Sequence, residues 1–490
     1  MDSARVMSDD TLSTCNNVEE KRATRDIDKT DAADVQVPGE HDAVAESRVR
    51  RELDRHMMPL FFVLYMLAFL DRSNISNAEI AGMPEALQLI GDQYSWLLTI
   101  FYITYILFEF SLLFWKVFPA HIVATVQAAA QNWSGMMAIR FFFGAFEAAY
   151  GPGIIYLLSF FYLRHEVGFR VGIFASAAPL ASTFAGALAY GITNGHPSLP
   201  SWRLLFLIEG LATIMLAPIA FFFIPDSPDK ARFLNPQERS IARSRAVRQV
   251  GRQPHLRIGG LSLKETGATF IDYKAWFVAL MYFGANVSYA SLPVYLPTIL
   301  ADMGYSKINA QGLSAPPYFV AFLSALITTW LADKIQQRGF VLFVTSIIGG
   351  IGYIVLATVT TVGVRYFAVF LAAAGVFSTI PNILAWTLNN QGSDTRRGAG
   401  LVLINLVGQC GPILGTRLYP TSEKPRYIKG MSVCAAFMFF TAVLALTLRS
   451  LRVWNNKKLD RERGDALAGE GHHHIDTAVE NYGPNFRYVL

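Results

Sequence analysis

Apolar residues in this chain run in long, nearly unbroken stretches, not at the three- and four-residue spacing of a helix buried on one side only. A helix needs about 20 apolar residues to cross the roughly 30 Å hydrocarbon layer of a bilayer, where every backbone polar group must find an internal partner. Such stretches predict spans near 57–77, 93–114, 137–160, 170–192 and 203–224, then near 275–300, 312–331, 340–361, 366–389, 399–419 and 430–450. Between Lys116 and Gly135 the weaker stretch HIVATVQAAA, residues 121–130, reaches only about 15–20 Å as a helix. Counted as a shortened third span, it brings the total to twelve, six on each side of the polar segment 225–273.

The expected organisation is a disordered N-terminal tail over 1–55, an N-terminal helical half over 56–224, a basic central loop over 225–273, a C-terminal helical half over 274–451 and a tail over 452–490. Composition agrees: 52% of residues are hydrophobic and 16% charged, where a soluble chain carries about 25% charged. The net charge of +5 therefore reports topology, not a nucleic-acid surface. Arg239, Arg243, Arg245 and Arg248 in the central loop, Arg164 and Arg170, Lys334 and Arg338, and Arg396 and Arg397 all fall on one side, which positive-inside reasoning makes the cytoplasm together with both tails. Lys424, Arg426 and Lys429 dissent. Residues 1–55 lack the short apolar core and small-residue cleavage site of a signal peptide.

Charge inside a span is costly, about 3 kcal/mol upward, so each such group is a candidate for function. Asp71 and Arg72 stand late in the first span, in LAFLDRSNISNAEIAG; they are expected to handle substrate or protons, or else to sit paired and solvated near the surface. In AIRFFFGAFEAAYGPG of the fourth span, Arg140 and Glu147 are seven residues apart and share a helical face. Glu147, deep in an apolar run, is the proton-carrier candidate, with a protonated packing residue as the alternative; Arg140, expected nearer the cytoplasmic end, is a gating or structural candidate. Glu109 and Glu209 are expected to pack. Asn382, Trp386, Asn389, Asn390 and Asn405 bring amides and an indole into apolar helices, which suits a small polar, planar ligand; singly each could equally fill the core or tie two helices, and together they favour a lined cavity. Asp333 and Arg338, at a span end, could latch two helices. Cys15, Cys410 and Cys434 suggest neither a disulfide framework nor a zinc site, and His472, His473 and His474 lack the spaced partners a metal needs. No nucleophile, phosphate loop or paired catalytic carboxylates emerge, so neither an enzyme nor a cofactor or metal is expected.

The motifs LDRSN, QYSWLLTIFYITYILFE, RFFFGAFEAAYGPG and PNILAWTLNN, with the ending GPNFRYVL, resemble the fungal anion:cation symporters, the allantoate and nicotinate permease group. The resemblance spans about residues 50–460 and implies an all-α membrane protein of the major facilitator fold, two six-helix halves moving by alternating access. It implies, further, that Arg72 engages a substrate carboxylate, that Asp71 and Glu147 handle protons, and that Tyr105, Trp386 and Asn405 line the cavity. The segment FEFSLLFWKVFPAHIVATVQ departs from the family pattern, lacking the basic proline-containing loop and a full third helix by about a dozen residues.

The leading functional expectation is import of a small organic anion, a carboxylate of vitamin or nitrogen-source type, by proton symport in the plasma membrane, by a monomer whose partners are cargo, protons and lipid. Export of an acidic secondary metabolite, and a non-transporting receptor or inactive truncated form, are the alternatives.

Overall fold

The computed structural model describes residues 43–109, 118–148, 150–195, 198–225, 227–250, 263–391, 394–469 and 487–490. Met1–Arg48 is one unit, described only from Ala43, and Val49–Leu490 is the other, which carries the fold. Among the described residues the regular structure is helical. The N-terminal half consists of α1 (Ala43–Ile80), α2 (Gln93–Phe108), α3 (Phe118–Val126), α4 (Trp133–Phe161), α5 (Val167–Asn194) and α6 (Ser201–Phe223). Two polar helices, α7 (Pro236–Val250) and α8 (Leu263–Ile271), occupy the central segment. The C-terminal half follows as α9 (Tyr273–Asp302), α10 (Lys307–Ile335), α11 (Arg338–Thr358), α12 (Val362–Asn390), α13 (Thr395–Gly415) and α14 (Ile428–Gly469). Among the described residues ten helices are long and apolar enough to cross a bilayer, and α2, at 16 described residues, is a shorter apolar helix. Each of the eleven expected spans thus coincides with a helix.

The third helix is described from Phe118, and residues 110–117 before it lie outside the described residues. Its 9 described residues reach about 14 Å, and a 3-10 turn at Gln127–Ala129 extends it before Asn132 caps α4. Gly210 of α6 lets it approach closely: a side chain there would meet Thr125.

Two expected tail boundaries shift. Helix α1 starts at Ala43, inside the expected 1–55 tail, because Val49, Leu53 and Met57 recur every four residues and bury completely beneath a charged face. Helix α14 runs on to Gly469, past residue 452, with Arg452 buried. Residues 1–42 and the histidines at 472–474 lie outside the described residues.

Glycines set the distances between helices. In the C-terminal half, a Cβ on Gly375 of α12 would strike the backbone of Gly349 in α11, and one on Gly352 would stand 2.5 Å from Ala372 N. Between the halves, α5 lies along α10, with Gly172 against Thr329 and Gly186 against Ser314 and the Gln311 carbonyl. In lipid, apolar burial does not drive helix association, so close van der Waals approach of this kind supplies it.

Candidate functional site

Helices α1, α2, α4, α5, α9, α12 and α13 enclose a central cavity of about 710 Å³ between the halves. From the N-terminal half Tyr65, Phe69, Arg72, Tyr102 and Tyr105 line it; from the C-terminal half Tyr282, Asn286, Tyr289, Asn405 and Gln409. Among the described lining residues Arg72 is the one cation, standing seven residues past Tyr65 and so on the same face of α1.

The Arg72 guanidinium donates to Glu147 Oε1 from Nε at 3.2 Å and from the terminal nitrogen at 2.6 Å. The two side chains are 15% and 5% exposed. Three aromatic faces surround the cation: Phe101 at 5.2 Å, Tyr105 at 5.3 Å and Phe69 at 5.9 Å. Each such face attracts a cation by about 0.5–2 kcal/mol, most when water is excluded. Breaking a buried ion pair costs about 3–5 kcal/mol, because the charge left behind has no partner. The site therefore holds a positive group whose carboxylate partner, Glu147, can exchange with another anion.

Asp71 projects to another side of α1 and is buried away from the cavity lining. Its electrostatic neighbours include Arg140 and Glu209. Arg140 is buried in α4 over Phe143, with Tyr94, Glu147, Tyr102 and Asp71 around it. Expected near the cytoplasmic end, it sits instead at the opposite end of the molecule from Arg170, because α4 descends from Asn132 toward Arg164 and Arg140 lies in its first turns.

Of the expected C-terminal residues, Asn405 lines the cavity, its amide also donating to the Leu401 carbonyl at 3.0 Å. Two others lie elsewhere. Asn382 is fully buried, its amide spent on the Ser378 carbonyl at 2.9 Å and the Thr328 hydroxyl at 3.4 Å, a tie between α12 and α10. Trp386 lies one further turn along, where its indole donates to the Val489 carbonyl at 2.8 Å and its ring stacks 4.1 Å from the Arg452 guanidinium. Sequence reasoning missed the phenols of Tyr65, Tyr102, Tyr282 and Tyr289; the signal was their placement mid-span, with Tyr282 and Tyr289 seven residues apart.

On both sides of the cavity the halves are joined. At the end beyond Arg72, the Thr298 hydroxyl donates to Glu79 at 2.9 Å, the Gln311 amide to the Asn77 carbonyl at 3.3 Å, and Thr99 and Thr416 share a 3.0 Å hydroxyl bond. At the other, basic end, Arg338 pairs with Asp333, and Gly168 of α5 packs directly against that pair. There too Arg164 Nε donates to the Asn389 carbonyl while the Asn389 amide donates to the Arg164 carbonyl at 2.7 Å. The same end carries ion pairs within the N-terminal half: Arg170 grips Asp54 at 2.6 and 2.9 Å, and Arg245 of α7 pairs with Glu166. Burial and the Asp54 carboxylate push the nearby Tyr162 phenol above its usual range. The segment Arg487–Leu490 lies across this end as a strap, with Tyr488 paired to Asn456 and Val489 to Asn390.

The sequence matches the Major Facilitator Superfamily model over residues 61–416. It is 32% identical over 435 residues to the MFS transporter prlL of a fungal species, covering 84% of this chain and 87% of that protein. It is 28% identical over 464 residues to the high-affinity nicotinic acid transporter of Saccharomyces cerevisiae, covering 91% and 85%. Its fold aligns with the proton:xylose symporter XylE at a TM-score of 0.65 and 13% identity, covering 80% of this chain and 95% of that one. Matched over most of its length by the family model, and sharing the family's helical fold, the chain belongs to the Major Facilitator Superfamily and is a multi-pass integral membrane transporter of small molecules.

Proposed function

We propose that this transporter imports a small organic anion by proton symport, as a member of the fungal anion:cation symporter group, in the plasma membrane with its basic end toward the cytoplasm. The observation that carries the reading is the Arg72–Glu147 pair in a cavity walled by both halves. A cargo carboxylate that takes the guanidinium from Glu147 leaves that acid without its cation in a low-dielectric site, where the neutral form is favoured and a proton binds. Cargo and proton are then bound together with no covalent step, and both are released when the halves part at the basic end. Phenols and amides around Arg72 suit a planar acid with further polar atoms. The likeness to a high-affinity nicotinic acid transporter points the same way. Asp71 and Arg140, behind the pair, set its field and its geometry in this scheme.

The test is uptake of labelled small carboxylates, nicotinate included, by cells expressing the chain, at two external pH values, with surface expression measured in parallel. Acid-stimulated uptake that Glu147→Gln abolishes is expected. Efflux from preloaded cells without uptake would reverse the direction and favour export of an acidic metabolite. A second reading, a non-transporting or inactive form, draws on one observation, the 9 described residues of α3. Surface expression with neither uptake nor efflux for any acid would favour it.

A further inference from the structure

A second cavity, of about 530 Å³, lies at the basic end and shares no lining residue with the central one. Its walls come from the start of α9 (Asp272, Lys274), the end of α12 (Thr387, Asn390), Arg396, Arg452 of α14, and Tyr488 of the strap. Among these described lining residues three are cations and one is a carboxylate, and the Asp272 carboxylate already caps α9, accepting from the Lys274 backbone amide at 3.0 Å. Arg164 adds its charge to the same neighbourhood.

Arg452 is the telling group. It is 3% exposed, its guanidinium lies 4.1 Å from the Trp386 ring, and its Nε and Nη1 have no hydrogen-bond partner. A buried guanidinium with unspent donors is expensive, and its planar fork of N–H groups suits the oxygens of an oxyanion. Indole stacking holds that fork in place inside a cavity of matching sign. Lys274 brings a second cation whose ammonium donates to the Tyr488 hydroxyl at 3.0 Å, leaving further donors for a ligand.

We propose that Arg452, Lys274 and Arg396 form a binding site for a phosphate-type oxyanion, covered by Tyr488 of the strap. The strap touches both halves, since Arg164 donates to the Arg487 carbonyl at 2.8 Å while Trp386 and Asn390 donate to the Val489 carbonyl. An anion under Tyr488 therefore holds the basic end closed. The phosphate comes either free from solution or as the headgroup of an anionic lipid.

The experiment uses the purified full chain. Calorimetric titration with inorganic phosphate in detergent is compared with thermal stability in nanodiscs of phosphatidylcholine alone or with added phosphatidylinositol phosphate. Saturable phosphate binding, weakened about tenfold or more by Arg452→Gln and by Lys274→Gln but unchanged by Lys457→Gln, supports the site with a free anion as ligand. No phosphate heat, but stabilisation by the phosphoinositide that the same two variants lose, supports it with lipid as the source. Arg452→Lys, which keeps the charge and loses the fork, guards against misfolding of the glutamine variant and is expected to bind more weakly than wild type. Neither phosphate binding nor lipid stabilisation, or variants indistinguishable from wild type, would overturn the proposal.

Discussion

The two halves line one cavity with different chemistry. Among the described residues the N-terminal half supplies the charge: Arg72 at the lining, Glu147 bonded to it, and Asp71 and Arg140 buried behind. The C-terminal half supplies phenols and amides, Tyr282, Tyr289, Asn286, Asn405 and Gln409, and no carboxylate or cation among the described lining residues. They differ in packing too: α11, third in its half, has 21 residues wedged by glycine contacts against α12, while α3 has 9 described residues and one glycine contact to α6. Charge coupling and cargo shape are thus carried by separate walls, and substitutions on each should fail in separable ways.

Glu147→Gln strikes the charged wall hardest. Uptake is expected to fall by about a hundredfold or more, and the residual rate to lose its dependence on external pH, since the cation of a buried pair is left alone. Arg72→Lys keeps the charge but loses the two-pronged grip on Oε1; about a tenfold loss, read as a raised KM, is expected. Equal pH profiles for wild type and Glu147→Gln would break the division of labour.

On the other side, Gly375→Ala drives a methyl into the Gly349 backbone and should cost about 2 kcal/mol, seen as a lowered melting temperature in detergent. Gly210→Ala should cost less, because the obstacle includes a threonine side chain on a short helix. Tyr289→Phe and Asn405→Ala should each raise KM several-fold, about 1 kcal/mol, while leaving the pH profile as it is. The smallest effect belongs to Asn382→Ala, about 0.6 kcal/mol of stability and no change in KM, since its amide ties two helices outside the cavity.

Most of the fold was legible because length and apolarity alone decide what crosses a bilayer. Tail boundaries were not, because in α1 before residue 56 charge outvotes the buried stripe of Val49 and Leu53, and α14 continues beyond 451 through a strongly charged sequence. At the site, the Arg72–Glu147 pair could be suspected since both charges sit within apolar spans. Trp386 misled because nothing local reveals that its indole is taken by the Val489 carbonyl, 103 positions away. Arg140 was misplaced by treating its helix as if it ran away from the basic end, when it runs toward it. The tyrosines escaped because aromatic residues are common in spans, and only the assembled bundle distinguishes those that face a cavity.

The crossed bonds between Arg164 and Asn389 have a consequence for mutational robustness. Each side chain donates to the other residue's backbone carbonyl, and a carbonyl survives any substitution. Losing the Asn389 side chain therefore removes one of the crossed bonds and leaves its twin in place, while losing that of Arg164 also gives up its bond to the Arg487 carbonyl. The closure is redundant on one side only: replacement of Asn389 drifts by nearly silently, and the crossed bonds show their full penalty in the double variant, as a coupling.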